Sequence, residues 1–118
     1  MGRLTTHVLD TARGQPAAGV RIELYGVNPD QSTCLLTTGV TNADGRVPAP
    51  LLEGEAFVSG SYQLTFRIGA YFSTQGVALA DPPFLDVIPV WFQIADESAH
   101  YHVPLLVSPW AYSTYRGS

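Results

Sequence analysis

Apolar and polar positions alternate along much of the chain with the period of two that half-buried β-strands show. Over 20–25, Val20, Ile22 and Leu24 fall on one face, with Arg21 and Glu23 on the other. Over 62–68, Leu64, Phe66 and Ile68 form the inward face. Further strands are expected over 4–10, 33–41, 85–95, 101–107 and 110–115. The 85–95 run is almost continuously apolar, which predicts a central strand, and Pro89 within it predicts a bulge or an unpaired ladder position. Gly14 and Pro16 close the first strand, Asn42-Ala43-Asp44-Gly45 reads as a tight turn, and 96–99 as a loop. One segment breaks the alternation: 73–80 reads as two helical turns, with Ser73 as N-cap and Pro82-Pro83 as the stop. Nine prolines and eleven glycines leave little room for long helices. Seven or eight short strands with one short helix predict an all-β, two-sheet β-sandwich. A length of 118 residues without repeat or linker predicts one domain over 1–118.

Composition narrows the partners. Hydrophobic residues make up 46% and charged residues 14%, against roughly 25% charged in ordinary domains, which excludes a disordered chain. So little charge on a small domain leaves apolar surface for other subunits to cover, and self-association is expected. Net charge is −4, and the six basic residues are scattered arginines, so no cationic cluster exists for nucleic acid. The lack of lysine argues against a basic membrane-surface helix, and no run approaches the ~20 apolar residues of a membrane span. The first residues do not resemble a signal peptide, and a single cysteine cannot form an internal disulfide, so a cytoplasmic protein is expected. Cys34 has no His or Arg beside it and is expected to be a buried, inert thiol.

Candidate chemistry rests on the histidines. His7 shares a strand face with Thr5 and Leu9, and His102 shares one with His100 and Pro104. Imidazole titrates near neutrality, so two of them together suit general acid/base work, although each alone could be an ordinary surface or interface histidine. His100 and His102, with His7, also have spacing for a three-histidine zinc site; no cysteine or acidic ligand stands beside them, and no metal is expected. No Gly-x-Ser-x-Gly elbow and no glycine-rich phosphate loop is present. Asp10, Asp44, Asp86 and Asp96 read as turn or strand-end residues. Arg46, just after the Asp44-Gly45 turn, would on its own be a solvated arginine.

Four segments in order resemble the transthyretin-related 5-hydroxyisourate hydrolases. They are Leu4-Thr5-Thr6-His7-Val8-Leu9-Asp10 with Gly14-Gln15-Pro16-Ala17, then Thr41-Asn42-Ala43-Asp44-Gly45-Arg46, then Tyr101-His102-Val103-Pro104-Leu105-Leu106-Val107-Ser108-Pro109, and Tyr115-Arg116-Gly117-Ser118. The resemblance covers essentially the whole chain. It implies a transthyretin-like two-sheet sandwich and a homotetramer, a dimer of dimers with a central channel. His7, Arg46, His102 and the tail from Tyr115 to Ser118 are implied to line that channel, facing subunits completing each site. The implied reaction is hydrolysis of 5-hydroxyisourate, in urate catabolism, to 2-oxo-4-hydroxy-4-carboxy-5-ureidoimidazoline. Water adds at C6, the N1–C6 bond opens, and no cofactor is required. A neutral imidazole would take the proton from water, assigned to His7 with His102 as partner, though the sequence does not fix which is the base. Arg46 would bind and polarise substrate oxygens, and Tyr115 and Ser118 would orient substrate. Arg116 and Gly117 would support, with strand alternation pointing Tyr115 and Arg116 to opposite faces. The alternative is a non-enzymatic carrier of a small hydrophobic ligand in the same channel. The hormone-carrying transthyretins hold other residues at the positions of His7, Arg46, His102 and Tyr115.

Overall fold

The computed structural model describes residues 2–117. Its strands in chain order are β1 (Arg3–Thr5), β2 (Val8–Asp10), β3 (Gln15–Pro16), β4 (Arg21–Val27), β5 (Thr33–Val40), β6 (Leu52–Glu53), β7 (Gly60–Arg67), β8 (Val87–Ile94), β9 (His100–His102), β10 (Leu105–Val107) and β11 (Tyr112–Thr114). One α-helix, α1 (Ile68–Thr74), follows β7 directly. One layer is the antiparallel sheet β5-β4-β7-β8. The other is formed by β6-β1-β9 and β11-β10-β2-β3.

The inward faces of the two layers make the core. Leu4, Val8 and Leu105 from one layer, and Ile22, Leu24, Leu64 and Phe66 from the other, are fully buried in a single cluster. Each such side chain contributes about 1.5–3 kcal/mol relative to exposure. The alternation read from 20–25 and 62–68 is therefore the physical cause of these strands.

The expected first strand, 4–10, divides into β1 and β2, and the expected 101–107 strand divides into β9 and β10. Both interruptions fall at the same level. The parallel register pairs Thr5 with His102 and Val8 with Leu105, which sets His7 opposite Pro104. Proline has no N–H for the ladder. Hydrogen bonds nevertheless run through the gap, from Val103 N to Thr5 O (3.0 Å) and from Leu105 N to His7 O (2.8 Å).

Three further expectations are corrected. The helix occupies Ile68–Thr74 rather than 73–80. Its Ile68, Tyr71 and Phe72 are buried, and it ends on Gly76, whose φ is +78°, with Gly76 N donating to Ser73 O and Val77 N to Phe72 O. That is a Schellman termination, so 73–80 contains the helix stop rather than its start. β8 lies at a sheet edge instead of the centre, with Trp91 exposed. Its register with β7 passes Pro89 without a shift, Pro89 standing opposite Thr65, because an edge strand has one side that needs no donor. Cys34 is exposed, on the outer strand β5, rather than buried. Among the described residues, no helix is long and apolar enough to cross a membrane.

Candidate active site

His7 sits at the junction of β1 and β2, where its neighbour is the 42–46 turn. Val8 N donates to Gly45 O (2.8 Å), and His7 and Arg46 form an antiparallel bridge. Asn42 shapes the turn: its Oδ1 accepts from Asp44 N (2.9 Å) and Arg46 N (3.1 Å). Gly45 has φ +75°, and a Cβ there would lie 2.5 Å from Val8 O and 3.2 Å from His7 Cδ2. Glycine is required here on both counts, and the turn chemistry brings Arg46 against His7.

His102 ends β9, and its ring centroid lies 6.3 Å from that of His7. Across the parallel register, Thr5 Oγ1 is 2.8 Å from His102 Nδ1 and 2.7 Å from His100 Nε2. On its other side His102 is paired with Gly117, whose N donates to His102 O at 2.7 Å. A Cβ on Gly117 would come 3.0 Å from the His102 ring, so a small residue fits there. His102, His100, Thr5 and Arg46 border an open depression of about 440 Å³, walled by Val47, Pro48 and Ala49.

The electrostatics favour neutral imidazoles beside a cation. Burial first, and then the Arg46 charge, hold His7 below its ordinary value of 6.5, against an opposing pull from Asp44. Burial also leads in lowering His102, followed by Arg46, His7 and His100. Among the described residues the ion pairs are made by Arg21 and Arg67 with Glu23, and Arg46 is in none of them. Such a group offers a proton acceptor and a planar set of unspent donors to one substrate.

The structure thus gathers His7, Arg46, His102 and Gly117 from four separate stretches. Tyr115 is exposed and lies off the lining of this depression, although the β10–β11 register, continued to the His102–Gly117 bridge, sets it opposite Pro104. Arg116 lines a second groove together with Tyr115 and Tyr101: its guanidinium lies 4.1 Å above the Tyr101 ring and Nη2 donates to His100 O (3.4 Å). Ser118 lies outside the described residues. Among the described residues, no three His, Cys, Asp or Glu side chains are grouped to hold a metal ion, so the spacing of His7, His100 and His102 does not make a triad. Sequence reasoning missed Thr5 as a member of the cluster. Its position two residues before His7, on the same strand face, was the available clue.

Two packed layers with a histidine–arginine cluster on an outer face define a transthyretin-like β-sandwich protein. Solved structures agree: a Klebsiella pneumoniae 5-hydroxyisourate hydrolase matches with TM-score 0.78 and 36% identity, each chain covered in full (100%). Sea bream transthyretin in complex with thyroxine matches with TM-score 0.86 and 31% identity, over 98% of this chain and 94% of that one. The model described as HIUase/Transthyretin family matches residues 4–117, and the chain belongs to that family. A 5-hydroxyisourate hydrolase 2 of Rhizobium meliloti strain 1021 is 57% identical over 117 residues, 99% of this chain and 97% of the relative.

Proposed function

We propose that this chain, as one domain, hydrolyses 5-hydroxyisourate in urate catabolism, opening the N1–C6 bond to 2-oxo-4-hydroxy-4-carboxy-5-ureidoimidazoline. The observation that carries this reading is the convergence of His7, Arg46 and His102 in a chain 57% identical to a 5-hydroxyisourate hydrolase. One imidazole of the pair takes a proton from water as its oxygen bonds to C6, and the proton is delivered to N1 as the N1–C6 bond breaks. A positioned base typically contributes about 10²–10⁴-fold. Arg46 donates to the oxygen at C6, where negative charge develops, and losing one such donor costs about 10²-fold or more. Every step uses side chains of the protein alone.

The functional unit we propose is a homotetramer, a dimer of dimers, acting in the cytoplasm. The openness of the depression and the exposure of Tyr115 support it: facing subunits supply the missing walls, with Tyr115, Ser118 and the tail around the substrate, and Arg116 and Gly117 holding that tail. The carrier reading is weaker. Transthyretin with thyroxine is 31% identical, and a neutral-imidazole and guanidinium cluster suits a polar cyclic ureide better than a hydrophobic ligand.

The test is to generate 5-hydroxyisourate from urate with urate oxidase and follow its absorbance decay. Faster decay with the protein is expected; decay at the spontaneous rate rejects the assignment.

A further inference from the structure

Thr5 touches two histidines at hydrogen-bond distance, and a hydroxyl has a single proton to give. With both rings neutral, full pairing needs the hydroxyl to accept from one ring and donate to the other. The directions of the two bonds are therefore coupled, and so are the tautomers of the rings. His102 offers Nδ1 to this contact, while its Nε2 is held by no hydrogen bond among the described residues.

We propose that Thr5 and His100 are positioning residues that hold His102 in its Nδ1–H tautomer, with the Nε2 lone pair presented to the site. In this arrangement Thr5 Oγ1 accepts from His102 Nδ1–H and donates to His100 Nε2. The chemistry selects this direction over its reverse. When His102 takes a proton at Nε2 it becomes a cation with N–H on both nitrogens, and a hydroxyl already accepting at Nδ1 keeps its bond throughout. In the reverse arrangement Thr5 donates to Nδ1, Nε2 carries the hydrogen, and His102 has no lone pair to offer.

The surroundings agree with the direction chosen. His100 must leave Nε2 unprotonated, and it stands opposite Arg3 in the β1–β9 register, where a second cation is disfavoured. The other charged or titratable neighbours of the pair are Arg46 and His7 beside His102, and Arg116 at the His100 carbonyl. The parallel strand pairing fixes the geometry, since Thr5 and His102 are direct ladder partners. The proposal rests on the hydrolase reading for its catalytic meaning, but the tautomer itself is measurable without turnover.

The experiment compares wild type, Thr5→Val and Thr5→Ser by ¹⁵N NMR of the histidine side chains at neutral pH, alongside kcat and KM for 5-hydroxyisourate. Wild type is expected to show His102 as the Nδ1–H tautomer, Thr5→Ser to retain it, and Thr5→Val to show mixed tautomers. The Thr5→Val kcat should fall about tenfold or more with KM changed far less, since groups that orient a reacting imidazole commonly carry effects of about that size. An Nε2–H tautomer in wild type overturns the proposal, as does a Thr5→Val protein with unchanged tautomer or unchanged kcat. If wild type shows no hydrolysis, the function fails, and the tautomer spectra alone decide the proposal.

Discussion

At the scale of single residues, the proposed base is an imidazole that resists protonation. On the proposed mechanism a neutral ring is the active form, and burial followed by Arg46 disfavours the cation at His7. kcat/KM is therefore expected to fall on the acid side, with its break below the ordinary histidine value of 6.5. Arg46→Ala removes one cause of the lowering, so the break should move to higher pH while the rate drops about 10²-fold. A pH–rate profile of the two enzymes checks both, and a break moving downward contradicts the account. The same sign governs stability. The unfolded chain takes up protons near 6.5 while the folded rings do not, so stability present above that pH declines as pH falls through the lowered values. His7→Ala and His102→Ala should each lose about 10²-fold or more in activity while keeping a wild-type circular dichroism spectrum.

Among elements, the 42–46 turn shows how local chemistry aims a distant functional group. Gly45→Ala places a methyl 2.5 Å from the Val8 carbonyl, at a φ of +75° that side chains rarely adopt. It should destabilise by about 2 kcal/mol and cost activity by displacing Arg46, measured by thermal melting and the hydrolysis assay. Tyr71 tests a different link. Its hydroxyl donates to the fully buried Asp10 at 2.8 Å, and burial, followed by Asp10, pushes its pKa up to about 12. Tyr71→Phe leaves that carboxylate oxygen without a donor and should cost about 1–3 kcal/mol in chemical denaturation.

These elements also explain what was legible beforehand. The strands over 20–25 and 62–68 could be read because burial on one face imposes alternation, and the 42–45 turn because Asn and Gly have local backbone reasons to be there. The helix start is not legible because its apolar residues Ile68, Tyr71 and Phe72 continue the pattern of β7, so periodicity does not mark where strand becomes helix. The 85–95 run reads as central because an apolar outer face looks the same in sequence whether a sheet or nothing in this chain covers it. His7, Arg46 and His102 can be named through the resemblance; the sequence puts Thr5 on the face of His7, but its contact with His102 arises from a pairing that no short window contains.

At the level of the whole molecule, large apolar side chains, aromatic and aliphatic alike, are left exposed. Phe84, Trp91 and Trp110 are each more than half exposed, at 76%, 53% and 65%. Trp91 on the edge strand β8, with Leu35 and Val40 on the edge strand β5, presents apolar surface that favours association with another copy. Analytical ultracentrifugation should therefore report a four-chain species, and Trp91→Glu should shift it to smaller forms with loss of hydrolysis. A fully active single chain contradicts a site completed by facing subunits.

The parallel pairing of Thr5 with His102 spans 97 positions, nearly the whole polypeptide. On the ribosome, at roughly 5–20 residues per second, the first partner emerges well before the second and waits for it. A chain cut short before β9 therefore carries His7 and Arg46 with nothing opposite them, and the cluster forms only once both strands are present.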